Sequence, residues 1–410
     1  MTARRLRVVT LIDRPMGMGG GERVAIELAV RLDRERFESI VCASRYSRAG
    51  ETPIQGAGRE ALERGGVRLV GLGRTKQYDL LAWRPLIHLL RRERIDVLHA
   101  HLFGSNLWGT VVGRAARVPV VVAHEHGWAA EMRTSARRAI DRYVIARGAD
   151  AYIAVSADTR QRMVEQGGID PGKVVVIDNG IPSESRAAPR DLRGELELEQ
   201  TIPVIGTVAV LRPEKALEGL LEAAALLLPQ FPGLRVLIAG DGPERRRLED
   251  LAKRLGLQQT VTFLGFRTDV RSVLSTVDVA VFSSASEGSP LAVMEAMDAA
   301  RPIVATSVGG VPDLVAHGVH GFLVEPGDPA ALAAAVARAL EDPRAAAAMG
   351  ARARERRRRE FDIAVTVKRI EDLYTGLFAR SRRGRREGFE ARRQPADEVT
   401  AEPSTARTER

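Results

Sequence analysis

Residues Ser283-Ser284-Ala285-Ser286-Glu287-Gly288-Ser289-Pro290-Leu291-Ala292-Val293-Met294-Glu295-Ala296-Met297 join an apolar run at 279–283 to a helical pattern, and a second apolar run follows at 303–305. Strand, loop, helix and strand in that order make a parallel βαβ unit. The spacing predicts a helix with Ser289 as its N-cap and Pro290 as its first residue, where a missing N–H costs nothing. The amides of Leu291, Ala292 and Val293 are then the donors this terminus offers to an anion. Glu287 precedes the helix and Glu295 lies within it, so both carboxylates can face one cleft. Each can accept from two neighbouring hydroxyls, as acidic residues do for ribose in other α/β nucleotide sites. A solvated Glu287 and an ordinary helical Glu295 are the plain alternative.

Outward from this unit the same alternation recurs, with strand candidates at 6–12, 39–43, 67–70, 95–99, 118–123, 151–155 and 174–177, then at 203–211, 235–239, 261–264 and 322–324. Repeated βα units of this kind build parallel sheets covered by helices, an α/β class. The composition agrees: hydrophobic residues reach 45% while aromatics are 4%, so burial rests on Val, Ile, Leu and Ala. A chain of 410 residues exceeds one ordinary core. The polar, Pro-bearing stretch 183–200 lacks sheet periodicity and reads as a linker, which expects domains at 1–182 and 201–360. Residues 361–379 place Ile363, Val367, Ile370, Leu373, Tyr374 and Leu377 at helical spacing, a helix in need of an apolar partner. The charged, Pro- and Ser-bearing segment 380–410 is expected to be a disordered basic tail.

The formal net charge is +9, which suits a polyphosphate ligand, an anionic membrane or nucleic acid. Nucleic acid is not expected, because no recognition motif or aromatic stacking series accompanies the charge. The runs Arg356–Arg359 and 382–386 read as a solvated helix face, with peripheral contact to an anionic membrane as the sharper reading. Cys42 is the single cysteine, so no intrachain disulfide forms, and no signal peptide is expected. No apolar run nears the roughly 20 residues a membrane span requires, which makes a cytoplasmic protein the expectation. No His, Cys or acidic cluster has metal-ligand spacing, so neither metal nor cofactor is expected.

Three further loops suit a diphosphate. Met16-Gly17-Met18-Gly19-Gly20-Gly21-Glu22 is a strand-to-helix turn whose amides can approach an anion unobstructed. It is not the dinucleotide fingerprint, whose third glycine would fall at Glu22. Arg212 and Lys215 sit at the C-terminal end of the strand opening the second half, where open sheets bind ligands. Gly240-Asp241-Gly242-Pro243 closes another strand, with Pro243 read as the first helical residue; turn formation explains most of it.

At this point the residues resemble a family. Glu287 and Glu295, with seven residues between them, and the run to Arg301-Pro302-Ile303-Val304-Ala305-Thr306-Ser307-Val308-Gly309-Gly310 are similar to the E-x7-E signature of glycosyltransferase family 4. Gly19–Glu22, His99-Ala100-His101, Asp178-Asn179-Gly180-Ile181, Arg212–Lys215 and Gly240–Pro243 fall in family order across 4–378. The resemblance implies the GT-B fold, two facing Rossmann-like domains about a cleft, with the final helix crossing back to the first. It implies sugar transfer from a nucleoside diphosphate sugar, UDP or GDP, to a hydroxyl acceptor, metal-independent and with retained anomeric configuration. Lys215 would contact the diphosphate, Glu287 the sugar and Glu295 the ribose. Gly20, Gly21, Gly240, Gly242, Gly288, Ser289, Pro290 and Leu291 would complete the donor site, with His101, His124 and Asn179 as acceptor or sugar contacts. His126, by likeness to a Thr-Glu-His form, would lie near the reacting sugar, with His124 as the alternative. One departure stands out: where the family carries Arg in a Gly-Arg-Leu context, this chain has Ala209-Val210-Leu211. Arg212, on the same side of an extended segment, is the expected substitute. A non-catalytic nucleotide-sugar-binding subunit, or a GT-B epimerase or phosphorylase, is the alternative function.

Overall fold

The computed structural model describes residues 4–15, 19–75, 79–128, 134–183 and 189–390, without the side chains of 53–54 and 384–390. Met16, Gly17 and Met18 of the first glycine loop and residues 391–410 of the expected tail lie outside the described residues.

Strands form at every position the alternation marked. β1 (Leu6–Ile12), β2 (Phe37–Ala43), β3 (Arg68–Gly71), β4 (Val97–His101), β5 (Val120–Glu125), β6 (Ala151–Ala154) and β7 (Val174–Val176) build one parallel sheet in the order β3-β2-β1-β4-β5-β6-β7. β8 (Val204–Val208), β9 (Arg235–Ala239), β10 (Val261–Gly265), β11 (Val279–Phe282), β12 (Ile303–Thr306) and β13 (Gly321–Val324) build the second, β10-β9-β8-β11-β12-β13. Each order reverses once, between β1 and β4 and between β8 and β11. At such a switch point the flanking crossovers run to opposite faces and leave a crevice beyond the strands' C-terminal ends. These are the two Rossmann-like sheets of a GT-B fold.

β4 starts two residues later than the apolar run at 95–99. The reason is Asp96, whose carboxylate accepts from the Arg7 amide at 2.9 Å and takes the place of a ladder carbonyl. The shift draws His101 into the strand. Because side chains alternate, His99 and His101 then share a face with Val97.

Helix Ile363–Glu390 departs from the expected 361–379 at both ends. Phe361 and Asp362 instead pair with the chain leaving the first domain: the Ile181 amide donates to the Phe361 carbonyl and the Ile363 amide to the Ile181 carbonyl. Beyond residue 379 the helix continues through the arginine run, residues of good helix propensity, so 380–390 is not the disordered segment expected. Ile363, Val367, Ile370, Tyr374 and Leu377 are buried against Val8, Val24, Leu28, Phe37, Val97 and Val120. Part of the first domain's core is thus supplied by chain that follows the second. Arg357, fully buried, fastens the crossing by donating to the carbonyls of Ile181 and Pro182 and to Ser183 Oγ. Within the expected linker, helix Leu192–Glu195 buries Leu192 against Ala239 and Val273.

Candidate active site

The second domain's rim is charged. Lys215 Nζ donates to Glu287 Oε1 at 2.6 Å, and Ser284 Oγ donates to the same oxygen at 2.6 Å. The loops after β8 and β11 are stitched together by the Ala285 amide on the Glu214 carbonyl and by Ser283 Oγ on the Lys215 carbonyl. The cation and carboxylate expected to share a sugar diphosphate therefore hold each other. Both are largely shielded, with side-chain exposures of 23% and 10%, so an entering phosphate meets an ammonium group that is paired with one carboxylate among the described residues.

The following helix begins at Leu291, one residue after the expected Pro290. Pro290 occupies the N-cap with ψ 117, and Ser289 makes no side-chain cap; its carbonyl instead accepts from Asn179 Nδ2 at 3.1 Å. The first-turn amides of Leu291, Ala292 and Val293 have no carbonyl four residues back within the helix, so they stay available to an anion. Asn179 is buried beneath this loop, with Oδ1 unpartnered.

Arg212 stands at the rim with over half its side chain exposed and Glu214 3.8 Å away. Its amide donates to the Val210 carbonyl at 2.8 Å, a three-residue turn. Strand alternation therefore does not govern this segment, contrary to the extended-chain expectation. Arg212 nevertheless faces the first domain. Burial raises the Glu22 carboxyl above the usual range and Asp13 adds to the rise, while Arg212 and Arg14 oppose it.

Most of the glycines serve backbone approach. A Cβ on Gly240 would lie 1.8 Å from the Ala209 carbonyl oxygen, and one on Gly242 would lie 2.4 Å from that of Leu211. These two glycines press the 209–211 segment against the β9 loop, and helix Arg245–Arg254 starts beyond Pro243. Gly288 bridges the domains: a Cβ there would sit 2.1 Å from the His126 carbonyl oxygen. Behind it, the Gly310 amide donates to the Gly288 carbonyl at 3.0 Å.

Where β4 and β5 end, the first domain's rim is uncharged and made of rings. Helix Gly20–Arg31 is N-capped by Gly19; Gly20 lies 3.9 Å, measured from its missing Cβ, from Leu291 across the cleft, and a Cβ on Gly21 would be 3.0 Å from the His126 ring. β4 and β5 bring His99, His101, His124 and His126 together. His101 Nδ1 and His126 Nε2 are 2.9 Å apart, and His124 Nδ1 and His99 Nε2 are 3.2 Å apart. His101 and His124 are fully buried, so neither reaches the cleft surface as a sugar or acceptor contact; His126 is the partly exposed ring. Of the two candidates, His126 is the one whose ring reaches the surface of the cleft. Burial pushes His99 and His126 down to about 3 and holds His101 and His124 well below the ordinary histidine range, so the four rings are neutral at pH 7.

Across the cleft Arg23 of the first helix pairs with Glu295, the carboxylate expected to meet ribose. Arg23 follows Glu22 directly, and its position within one turn of a glycine loop was the signal that could have singled it out. Ser284 and His99 were likewise not anticipated as parts of the site.

Two family models match, one to each domain: Glycosyltransferase Family 4 over residues 18–185 and Glycosyl transferases group 1 over 190–356. The chain belongs to glycosyltransferase family 4. Among its relatives is the D-inositol 3-phosphate glycosyltransferase of Streptomyces avermitilis, 31% identical over 314 residues, 70% of this chain and 67% of that one. Another is the Escherichia coli UDP-Gal:alpha-D-GlcNAc-diphosphoundecaprenol alpha-1,3-galactosyltransferase, 28% identical over 313 residues, 73% of this chain and 80% of that one. The crystal structure of Anabaena HepE in complex with UDP and glucose superposes with a TM-score of 0.78 at 25% identity, covering 91% of this chain and all of that one. No helix among the described residues of this glycosyltransferase is long and apolar enough to cross a membrane.

Proposed function

We propose that this glycosyltransferase moves a sugar from a nucleoside diphosphate sugar, with UDP as the nucleotide, to a hydroxyl acceptor with retention of anomeric configuration. The observation that carries the reading is the 2.6 Å Lys215–Glu287 pair at the β8/β11 switch point, beside the free amides of Leu291–Val293. The departing diphosphate gains negative charge as the glycosidic bond breaks. Lys215, once its pair with Glu287 opens, those amides and Arg212 would stabilise it. Glu287, released from Lys215, takes sugar hydroxyls. Glu295, released from Arg23, takes the ribose, and His126 lies at the sugar end. UDP is favoured by the likeness to HepE, whose complex holds UDP and glucose, and retention by the family pattern. No metal is assigned a step.

The acceptor we propose belongs to glycolipid or polysaccharide assembly, as the name of the Escherichia coli relative indicates for that enzyme. A cytoplasmic enzyme touching an anionic membrane through its arginine-rich C-terminal part fits such an acceptor. Pelleting with anionic vesicles should then weaken with salt and with truncation after Arg380; unchanged pelleting discards the membrane contact.

The experiment for the function is to incubate the protein with UDP- and GDP-sugars and mixed acceptors, follow nucleoside diphosphate release, and read the product's anomeric configuration by NMR. Release from UDP-sugars with retained configuration is expected. Val210, standing where the family carries Arg, favours the rival reading of a binding subunit. Tight UDP binding without release in any acceptor mixture would establish that rival.

A further inference from the structure

Return helix Ile363–Glu390 delivers one polar group into the first domain's core. The Tyr374 hydroxyl, on a side chain 1% exposed, lies 2.5 Å from His99 Nδ1 and has no other hydrogen-bond partner among the described residues. Burial and the nearby Glu371 carboxylate raise the phenol far above its ordinary range, so it is a neutral O–H. A buried hydroxyl with one available acceptor donates to it. The proton order along the ladder then follows by elimination. Nδ1 of His99 accepts, so the neutral ring carries its hydrogen on Nε2, and that N–H donates to His124 Nδ1 at 3.2 Å. His124 in turn carries its hydrogen on Nε2. Its ring stacks on His126 with centroids 4.3 Å apart and planes 18° from parallel. His126 is further held by His101 Nδ1, and its carbonyl packs over Gly288, the residue after Glu287.

We propose that Tyr374 is a positioning residue for glycosyl transfer: its hydroxyl fixes the tautomers of His99 and His124, and the ring of His124 is the platform that orients His126 at the sugar end of the cleft. The inference rests on the function proposed above. It gives the crossing helix a second task besides covering the sheet, since a group encoded after the nucleotide-binding domain sets the order of the facing rim. It also decides between two uses of the cluster. His99, His101 and His124 bring ring nitrogens within 4.8 Å of one another, close enough for a shared transition metal. In the assigned order His99 Nε2 carries a hydrogen and His124 Nδ1 is an acceptor, so a metal bound through either nitrogen would break that order.

The test is Tyr374→Phe, which keeps the ring packed against Phe37 and removes only the hydroxyl. Long-range proton–nitrogen spectra of the histidine-labelled wild type should show His99 and His124 protonated at Nε2, and the variant should lose that single pattern at His99. Turnover should fall about tenfold, while UDP affinity by thermal shift and the melting cooperativity stay as in the wild type. A wild type with either ring protonated at Nδ1, or with one equivalent of zinc bound at the rings, overturns the proposal. So does a variant with unchanged turnover. A wild type that releases no nucleoside diphosphate sinks the proposed function and this role together, whereas an active wild type beside an unaffected variant sinks only the role of Tyr374.

Discussion

The two switch points face each other over one cleft yet are built from opposite chemistry. Beyond β8 and β11 the rim is charge held in reserve: Lys215 against Glu287, Arg212 half exposed and first-turn amides uncommitted. Beyond β4 and β5 the rim is a buried, uncharged histidine ladder with glycine backbone pressed on it, and the first helix adds the cross-cleft pair Arg23–Glu295. A charge developing in the cleft is met on one side by ions and dipoles. The other side meets a ligand with shape and oriented N–H groups, which cost little to bury because they are neutral. Binding energy and leaving-group stabilisation are therefore expected from the second domain, and orientation of the sugar from the first.

Substitutions at the charged rim should have the largest effects. Lys215→Ala removes the partly shielded cation and leaves Glu287 without it; turnover should fall by about 10²–10³-fold, the loss typical of one preorganised donor to a developing anion. A loss under tenfold in steady-state nucleotide release would break the contrast between the rims. Gly288→Ala tests the line where the rims touch. Its Cβ would meet the His126 carbonyl oxygen at 2.1 Å, so the domains must part, and turnover should drop by about 10²-fold with a larger radius of gyration by small-angle scattering. An active, equally compact variant would show that the contact is dispensable.

Arg212→Ala sharpens the question of Val210. If Arg212 takes over the missing cation's task, turnover should fall about tenfold or more, and no exposed arginine such as Arg64 should match it. An effect equal to that of Arg64→Ala removes Arg212 from the mechanism. The smallest effect is expected at Ala216, which holds φ 42 between Lys215 and helix Leu217–Leu227. Ala216→Gly should raise stability by about 1 kcal/mol in urea unfolding without changing turnover, because glycine adopts that conformation freely. A destabilised variant would show that the methyl group packs favourably enough to outweigh the strain.

Much of the fold could be read from residues 279–305 and their repetition, because a buried parallel strand needs an unbroken apolar run and a helix needs its own period. The charged rim was legible for the same reason: Glu287 and Lys215 stand in loops that follow strands, and Glu295 lies in the helix that opens from one of them. The helix start was misplaced by one residue: Pro290 takes the N-cap, and Ser289 is tied by its carbonyl to Asn179, a partner 110 positions away. The histidine rim was the least legible. His101 and His124 read as contacts for a ligand because sequence does not report depth, and both rings lie on strand faces that the fold buries.

The sequence by itself determined two α/β halves, their boundary stretch, an apolar helix in search of a partner and the carboxylates and cation of the donor side. These are local facts, written in periodicity and in the chemistry of single turns. Only the tertiary structure decided that the last helix completes the first core, that Gly288 closes on His126, and that Tyr374 reaches His99 across 275 residues. Such contacts arise when two surfaces of matching shape exclude water together, and no pattern within either segment records the other.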